Sequence, residues 1–471
     1  MKLFADASDR LSPIVVKELR QGVRGNVFTG AFLLMILVVV AVLSLSLLAT
    51  PGPGREGFTF GFWFFVAIPL LVILPLGAAA AIAGEVSGNT LEPLLLTRLT
   101  AWRVVAGKWS ATASQVVVLA VALLPFVLVR YYLGMVEVVN DAALLAAFVT
   151  WSLLLAAVTV AIAAARLSVL LRSLLVVVMG LALLITFVSF LEQVAPARRT
   201  ATTGGVASLV LLVGLLLLSA LESGALQIAP PALFQPARLR LLALLALCLA
   251  VWTGTSPWAT QFRGQVVTWT VVLATGICLA ALCEHAPLLP SRYAPFYGSR
   301  WRFPLRFFLA PGWPAGVGFA LVVALAVAAA AFTTHGPAGA AFALGGILGT
   351  LLLPVAVGRT FFPRRGRPFL ILVVVTFVSF ALSAVAFIGL ESGAGSLWRA
   401  GRYLLPLCPV VYALARLGLG DGIGIASMEN AAFDVFDIGF GLFAGLVLAV
   451  ALVQVVRAWR GINRLMAGRA A

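Results

Sequence analysis

Long apolar runs separated by short polar segments dominate this chain. A helix needs about 20 consecutive apolar residues to cross a bilayer. Runs of that order fall at 28–49, 59–83, 111–133, 142–165, 173–192, 205–221, 241–256, 265–284, 313–333, 339–357, 368–390 and 434–456. The pattern predicts an all-α integral membrane protein of about twelve transmembrane helices, with no soluble catalytic domain between them. The runs at 205–221 and 241–256 are short, and tilted, re-entrant or shifted helices remain open there. Proline- and polar-rich residues 222–240 divide a membrane half at 28–221 from a second at 241–471, whose longest predicted outer loop is 391–433.

Two polar stretches are too patterned to be plain loops. In residues 11–26, Ser12 before Pro13 is a helix start, with a side-chain cap followed by proline at the first helical position. Leu11, Ile14, Val15 and Leu19 recur at three-to-four spacing, with Lys17, Arg20 and Arg24 on the other side. Such a helix lies along the inner membrane surface. The second stretch, 85–108, interrupts two long apolar runs. Gly88, Asn89, Thr90 and Glu92 are helix-entry residues; a short apolar stripe follows and ends in Arg98, Arg103 and Lys108. This predicts a short amphipathic helix at a cytoplasmic turn, either presented to a partner or lying on the bilayer.

Composition fits the membrane reading. Apolar residues make up 62% and charged residues 10%, against roughly a quarter charged in soluble domains. The net charge of +16 points first to nucleic acid, but its distribution argues otherwise. With the N-terminus inside and the spans alternating, the outer segments keep eight of the 32 basic residues: Arg55, Arg130, Arg198, Arg199, Arg263, Arg399, Arg402 and Arg416. The other three quarters lie inside, as the positive-inside rule requires. The basic balance therefore reads as orientation and lipid-headgroup charge, with both termini cytoplasmic and no nucleic-acid partner. The first apolar run follows a long charged segment and reads as an uncleaved anchor.

Several chemistries have no motif here. Gly107-Lys108 is the only Gly-Lys pair; Trp109 follows it and the upstream glycine of a phosphate loop is missing. His285 and His335 are far apart, and the nucleophile-elbow pattern of hydrolases is absent. Cys248, Cys278, Cys283 and Cys408 show no disulfide or zinc spacing, and Cys283-Glu284-His285 reads as an ordinary helix end. Glu192, Glu222, Glu284 and Glu391 stand singly near predicted boundaries, without the buried carboxylate chain of a proton pump. Pro69, Pro75, Pro125 and Pro354 bend spans. Gly345/Gly349 and Gly441/Gly445 allow close helix approach, either within the chain or to a second copy. Arg130, near an outer helix end, reads as a snorkelling side chain. No metal and no ATP site is expected in this chain.

The two polar stretches together resemble a known family. Ser12-Pro13-Ile14-Val15-Val16-Lys17-Glu18-Leu19-Arg20-Gln21 resembles the opening of permease subunits of ATP-binding-cassette transporters with the type-2 exporter fold. Glu85…Gly88-Asn89-Thr90-Leu91-Glu92-Pro93-Leu94-Leu95-Leu96-Thr97…Gly107-Lys108 is similar to that family's segment between its second and third spans. Leu123-Leu124-Pro125 and Tyr132-Leu133-Gly134 fit the next span. The chain departs from the pattern in four places. Ser12 replaces Asn, Val86-Ser87 lacks the second acidic residue, Asn89 is inserted, and Arg98 stands where proline is common.

The resemblance implies an ATP-driven export permease in the cell (inner or plasma) membrane, with no ATPase site of its own. A separate ATP-binding-cassette subunit would bind ATP and Mg. Residues 1–27 would carry an interfacial connecting helix with Pro13, Lys17, Glu18, Leu19 and Arg20. Residues 28–221 would be the six-span permease half. Glu85, Gly88, Thr90, Leu91, Glu92, Leu94, Leu95, Leu96, Thr97, Gly107 and Lys108 would form the coupling helix. There, Glu85 and Glu92 would face basic residues of the ATPase, and the leucines would fill its groove. Only one such motif occurs in a chain long enough for two, so a pair with itself or with a related permease is expected. The role of 241–471 and the substrate do not follow from the motifs. Other classes compatible with the composition are a non-transporting assembly or anchoring protein and a secondary transporter or lipid-handling enzyme.

Overall fold

A computed structural model of the chain describes residues 22, 25–48, 55–88, 100–132, 138–165, 203–229, 236–255, 276–282, 284, 290–297, 304–361, 378 and 435–467. Among these residues there is no strand, and eight helices are long and apolar enough to cross a membrane. The protein is a multi-pass helical membrane protein. By its internal packing the chain divides into two compact units, Met1–Phe234 with Thr253–Val266, and Gln235–Trp252 with Val267–Ala471.

In the first unit, α1 (Asn26–Leu48) is apolar all round and leaves Leu33, Leu34, Leu37 and Leu45 exposed, as expected of a helix bathed in lipid. The second span is composite: α2 (Arg55–Ala67), a π-helical turn (Ile68–Ile73) and α3 (Leu74–Ser87). Residues 88–100 connect it to α4 (Ala101–Tyr132), which is followed by α5 (Val138–Ala164) and α6 (Thr203–Ile228). Helix α5 is the hub: Leu154, Leu155, Ala156, Ala157 and Val160 are buried in succession as α3, α4 and α6 pack around it. Helix α6 runs beyond the expected 205–221, because Glu222 alone does not break it. It ends at Ile228 before Pro230, and a residue preceding proline disfavours helical backbone.

The second unit contains α7 (Ala237–Thr255) as far as Trp252, a helical piece at 276–282, short turns at Pro290–Arg292, Ala294–Tyr297 and Arg306–Leu309, then α8 (Trp313–Phe361) and α9 (Val435–Ala467). Helix α8 is two helices meeting at Gly336, whose φ of 69° breaks the helical path. Helices α8 and α9 form the main packed pair of this unit. A Cβ at Gly345 would lie 2.8 Å from the Phe440 ring, so the bare glycine face lets α9 approach. Gly345 thus serves a contact inside the chain, whereas Gly441 and Gly445 face open space.

Six of the expected spans (28–49, 59–83, 142–165, 241–256, 313–333 and 339–357) coincide with helices within a few residues, and those at 205–221 and 434–456 belong to helices that continue to Ile228 and Ala467. The run predicted at 111–133 belongs to a helix that begins ten residues earlier, at Ala101. The run at 173–192 lies outside the described residues, and those at 265–284 and 368–390 lie almost wholly outside them.

Candidate functional site

The early start of α4 reshapes the polar stretch at 85–108. Thr100 caps the helix, its Oγ1 accepting the backbone N–H of Arg103 at 3.4 Å and its carbonyl accepting that of Val104 at 3.2 Å. This is the N-cap geometry that Thr favours. Val104, Val105, Lys108, Ala111 and Thr112 then recur at helical spacing on the buried face. Gly107 and Lys108 therefore sit inside the third span. They are not part of the intervening segment.

Glu85, in the last turn of α3, meets Lys108 directly. Lys108 Nζ lies 2.9 Å from Glu85 Oε1, with Lys108 5% and Glu85 21% exposed. Lys108 also donates to the Ala81 carbonyl at 3.4 Å. Gly88 closes α3 through an N–H to the Gly84 carbonyl, 2.9 Å, with its φ of −79° still helical. An ion pair thus ties the root of α3 to the root of α4, and residues 88–100 connect the two. Of the predicted coupling residues, the structure brings together Glu85 and Lys108, with Gly88 and Gly107 beside them. Thr90, Leu91, Glu92, Leu94, Leu95, Leu96 and Thr97 lie outside the described residues, as do Pro13, Lys17, Glu18, Leu19 and Arg20.

The upper part of this span is built around its prolines. Leu74 donates its N–H to the Pro69 carbonyl, five residues back. The Leu70 carbonyl has thereby lost its α-helical donor, and its π-helical donor would be Pro75, which has no N–H. The Ser152 hydroxyl of α5 fills the gap at 2.6 Å. Thr159, two turns along α5, donates to the Pro75 carbonyl at 2.9 Å. Trp109 Nε1 donates to the Leu153 carbonyl at 3.0 Å, joining α4 to the same helix. Single-turn π segments inside α-helices recur at functional sites, and this one lies in the span that leads into the 85–108 stretch.

A second charge pair lies at the far end of α4. Arg130, 1% exposed, faces Asp141 in the first turn of α5 at 3.2 Å. Its guanidinium carbon stands 4.3 Å from the Phe62 ring centre and 5.7 Å from that of Trp63, and Trp63 stacks on Phe148. The snorkelling expectation fails here. A partner of opposite charge on the next helix, backed by aromatic faces, holds the guanidinium inside the bundle. Asp141 is legible in the sequence as the acid that follows Arg130 at the start of the next apolar run.

In the second unit, Arg240 and Glu284 form a buried clamp. Arg240 donates through Nη1 to the carbonyls of Phe308 and Ala310, 2.9 and 2.8 Å, and through Nη2 to Glu284 Oε2 at 2.8 Å. The same oxygen accepts the Gly312 N–H at 2.8 Å. The planar fork of arginine suits such multiple donation, and it fixes the turn that starts α8. A Cβ at Gly316 would meet the Ala281 carbonyl oxygen at 2.6 Å, so only glycine lets α8 lie against the 276–282 helix. Beside the clamp, Arg306 lies against Tyr297, Phe307 and Trp459 at 5.0, 4.8 and 5.3 Å from the ring centres. Burial pushes the Tyr293 hydroxyl up to about 12, and the charges of Tyr297 and Glu284 add to the shift.

In the sequence Glu284 is a solitary acid at a helix end. Its pairing with Arg240, 44 residues away, has no local signal. Among the described residues, no three His, Cys, Asp or Glu side chains gather as a metal-binding group. Comparison with family models, curated proteins and solved structures gives no match to this chain.

Proposed function

We propose that this chain is the membrane-spanning subunit of an ATP-driven exporter, energised by a separate ATP-binding subunit that docks on residues 88–100. The observation that carries the reading is the brace between Glu85 and Lys108. A docking helix transmits force only if the spans on either side move with it. The ion pair, buried on its Lys108 side, makes α3 and α4 one mechanical unit at the base of that segment. The residues that resemble the coupling segment occupy the connection between them, and the chain contains no phosphate loop of its own.

In this reading a push on residues 88–100 travels up α3 to the π-turn at Ile68–Ile73. The backbone hydrogen-bond ladder is already interrupted there and is held by Ser152 and Thr159. Helix register shifts and kinks of this kind are local places for a rigid element to bend. The chain spans the inner or plasma membrane about twelve times with both termini cytoplasmic, and works as a pair with itself or with a related permease.

The reading expects a neighbouring reading frame that encodes a phosphate-loop ATPase, and its absence would count against the proposal; the direct test is co-expression of that ATPase with this chain. The ATPase copurifies with the intact chain and its hydrolysis rate responds to it; deletion of 90–99 or Glu92→Lys abolishes both. A complex that survives the deletion with ATPase stimulation intact overturns the docking assignment. Topology has its own check: a reporter fused after Arg365 reads cytoplasmic and one placed within 391–433 reads external.

A further inference from the structure

Helix α9 carries one continuous outward face that changes character along its length. Ile438, Leu442, Leu446, Val453 and Val456 are exposed, and the same face continues into exposed Arg457, Arg460 and Arg464. At about 100° per residue these arginines fall within an arc of about 60°, directly in line with Leu446 and Val453. The helix has 33 residues, about 50 Å at 1.5 Å per residue, whereas the hydrocarbon layer is about 30 Å thick. About 20 residues from Asp437 traverse that layer, which brings Arg457 to headgroup level.

The opposite face anchors this end. Trp459 and Ile462 are buried with Tyr293, Ala310 and Ala315, and Asn463 Oδ1 accepts the Tyr297 hydroxyl at 2.5 Å. The arginines are therefore displayed from a fixed helix, directly below an apolar stripe that suits acyl chains. We propose that Arg457, Arg460 and Arg464 form a binding site for the phosphate headgroup of an anionic phospholipid whose acyl chains lie along Leu446, Val453 and Val456. Guanidinium groups pair with phosphate oxygens in bidentate fashion. A zwitterionic lipid offers the same phosphate but cancels its charge with a neighbouring cation, so the site selects anionic headgroups. This site is independent of the ATPase-docking reading.

The experiment uses the full chain in mixed micelles with phosphatidylglycerol or phosphatidylcholine, with bound lipid counted by native mass spectrometry. The intact protein retains phosphatidylglycerol in preference to phosphatidylcholine. Each arginine near a charged membrane surface contributes about a fivefold affinity factor, so the Arg457→Gln/Arg460→Gln/Arg464→Gln variant loses on the order of a hundredfold. The corresponding triple lysine variant keeps the charge and retains most of the preference. Arg364→Gln/Arg365→Gln/Arg367→Gln removes equal charge elsewhere and leaves it intact. Equal loss from that control variant, no loss from the α9 variant, or displacement of the lipid by millimolar glycerol phosphate each overturns the proposal. So does an α9 variant that separates a dimer into monomers while its bound lipid is unchanged, because the face would then belong to a second copy. Should the triple variant fail to fold, Arg460→Gln alone decides: a loss of about fivefold supports the site, and unchanged retention overturns it.

Discussion

The Ser152 hydroxyl donates to the Leu70 carbonyl across 2.6 Å, supplying the hydrogen bond that Pro75 cannot make. Ser152→Ala leaves that carbonyl without this donor inside the bundle. The expected cost is about 0.6–2 kcal/mol, the range for interhelical hydrogen bonds within membranes. Adding Pro75→Ala restores a backbone N–H at the right place, so the double variant recovers part of the loss. Thermal unfolding of the four proteins in one detergent measures this. Equal losses with and without the proline would mean that Ser152 contributes nothing through Leu70.

The Glu85–Lys108 pair makes a different prediction. Glu85→Gln and Lys108→Gln each leave a poorly solvated charge behind and destabilise by about 1–3 kcal/mol, below the roughly 3–5 kcal/mol of a fully buried pair because Glu85 is partly exposed. The double variant costs less than the sum of the two. A double-mutant cycle on unfolding free energies gives the coupling; additive effects would separate the two side chains energetically.

Arg130 is tied to geometry as well as charge. Arg130→Lys keeps the cation but loses the planar face set against Phe62 and Trp63. It is expected to destabilise by about 1 kcal/mol or more. Asp141→Asn, which strands a buried guanidinium, costs about 3–5 kcal/mol. Chemical denaturation in detergent ranks the two, and a larger effect for Arg130→Lys than for Asp141→Asn would reverse the argument.

The Arg240 clamp predicts a local effect. Arg240→Lys cannot reach two carbonyls and a carboxylate at once, so the turn from Phe308 to Gly312 opens more readily. Hydrogen exchange of residues 308–316 is expected to quicken about tenfold, the equivalent of about 1.4 kcal/mol. The α3–α5 region, in the other unit, should exchange as before. A uniform change throughout would point to global destabilisation and away from a clamp.

Tyr293 supplies a pH signature. Its folded pKa is raised from 10.0 to about 12, so the folded state holds the proton longer than the unfolded chain does. The stability associated with the neutral hydroxyl is complete below about pH 10. It is lost as pH rises from there toward 12, because the unfolded state ionises first. Tyr293→Phe flattens that part of the stability profile. A profile that falls equally steeply in the variant would assign the alkaline loss to other groups.

Much of this fold is legible in the order of apolar and polar residues. An apolar run long enough to span a bilayer must be helical, because lipid offers no partner for the backbone groups; hence most expected spans coincide with helices. Thr100 is a good cap by residue type, yet the polar residues that follow it hide the helix start from hydropathy, which rises only at 111. The connection before α4 is shorter as a result, and Lys108 lies within the bundle. Arg130 departs from its expectation for a related reason: a charge near a helix end can face lipid or a partner, and hydropathy does not distinguish them.

The sequence by itself determined the helical membrane class, the positions of most spans and the prolines that had to disturb one of them. Tertiary structure alone decided where the disturbed backbone found its donors and which charges met. Leu70 rather than Leu71 needs Ser152 because the π-turn shifts the donor register by one residue, a choice made by packing against α5. Arg240 meets Glu284, and Glu85 meets Lys108, because poorly solvated charges are costly unless paired. Those partners are distant in sequence and become neighbours only when the helices pack.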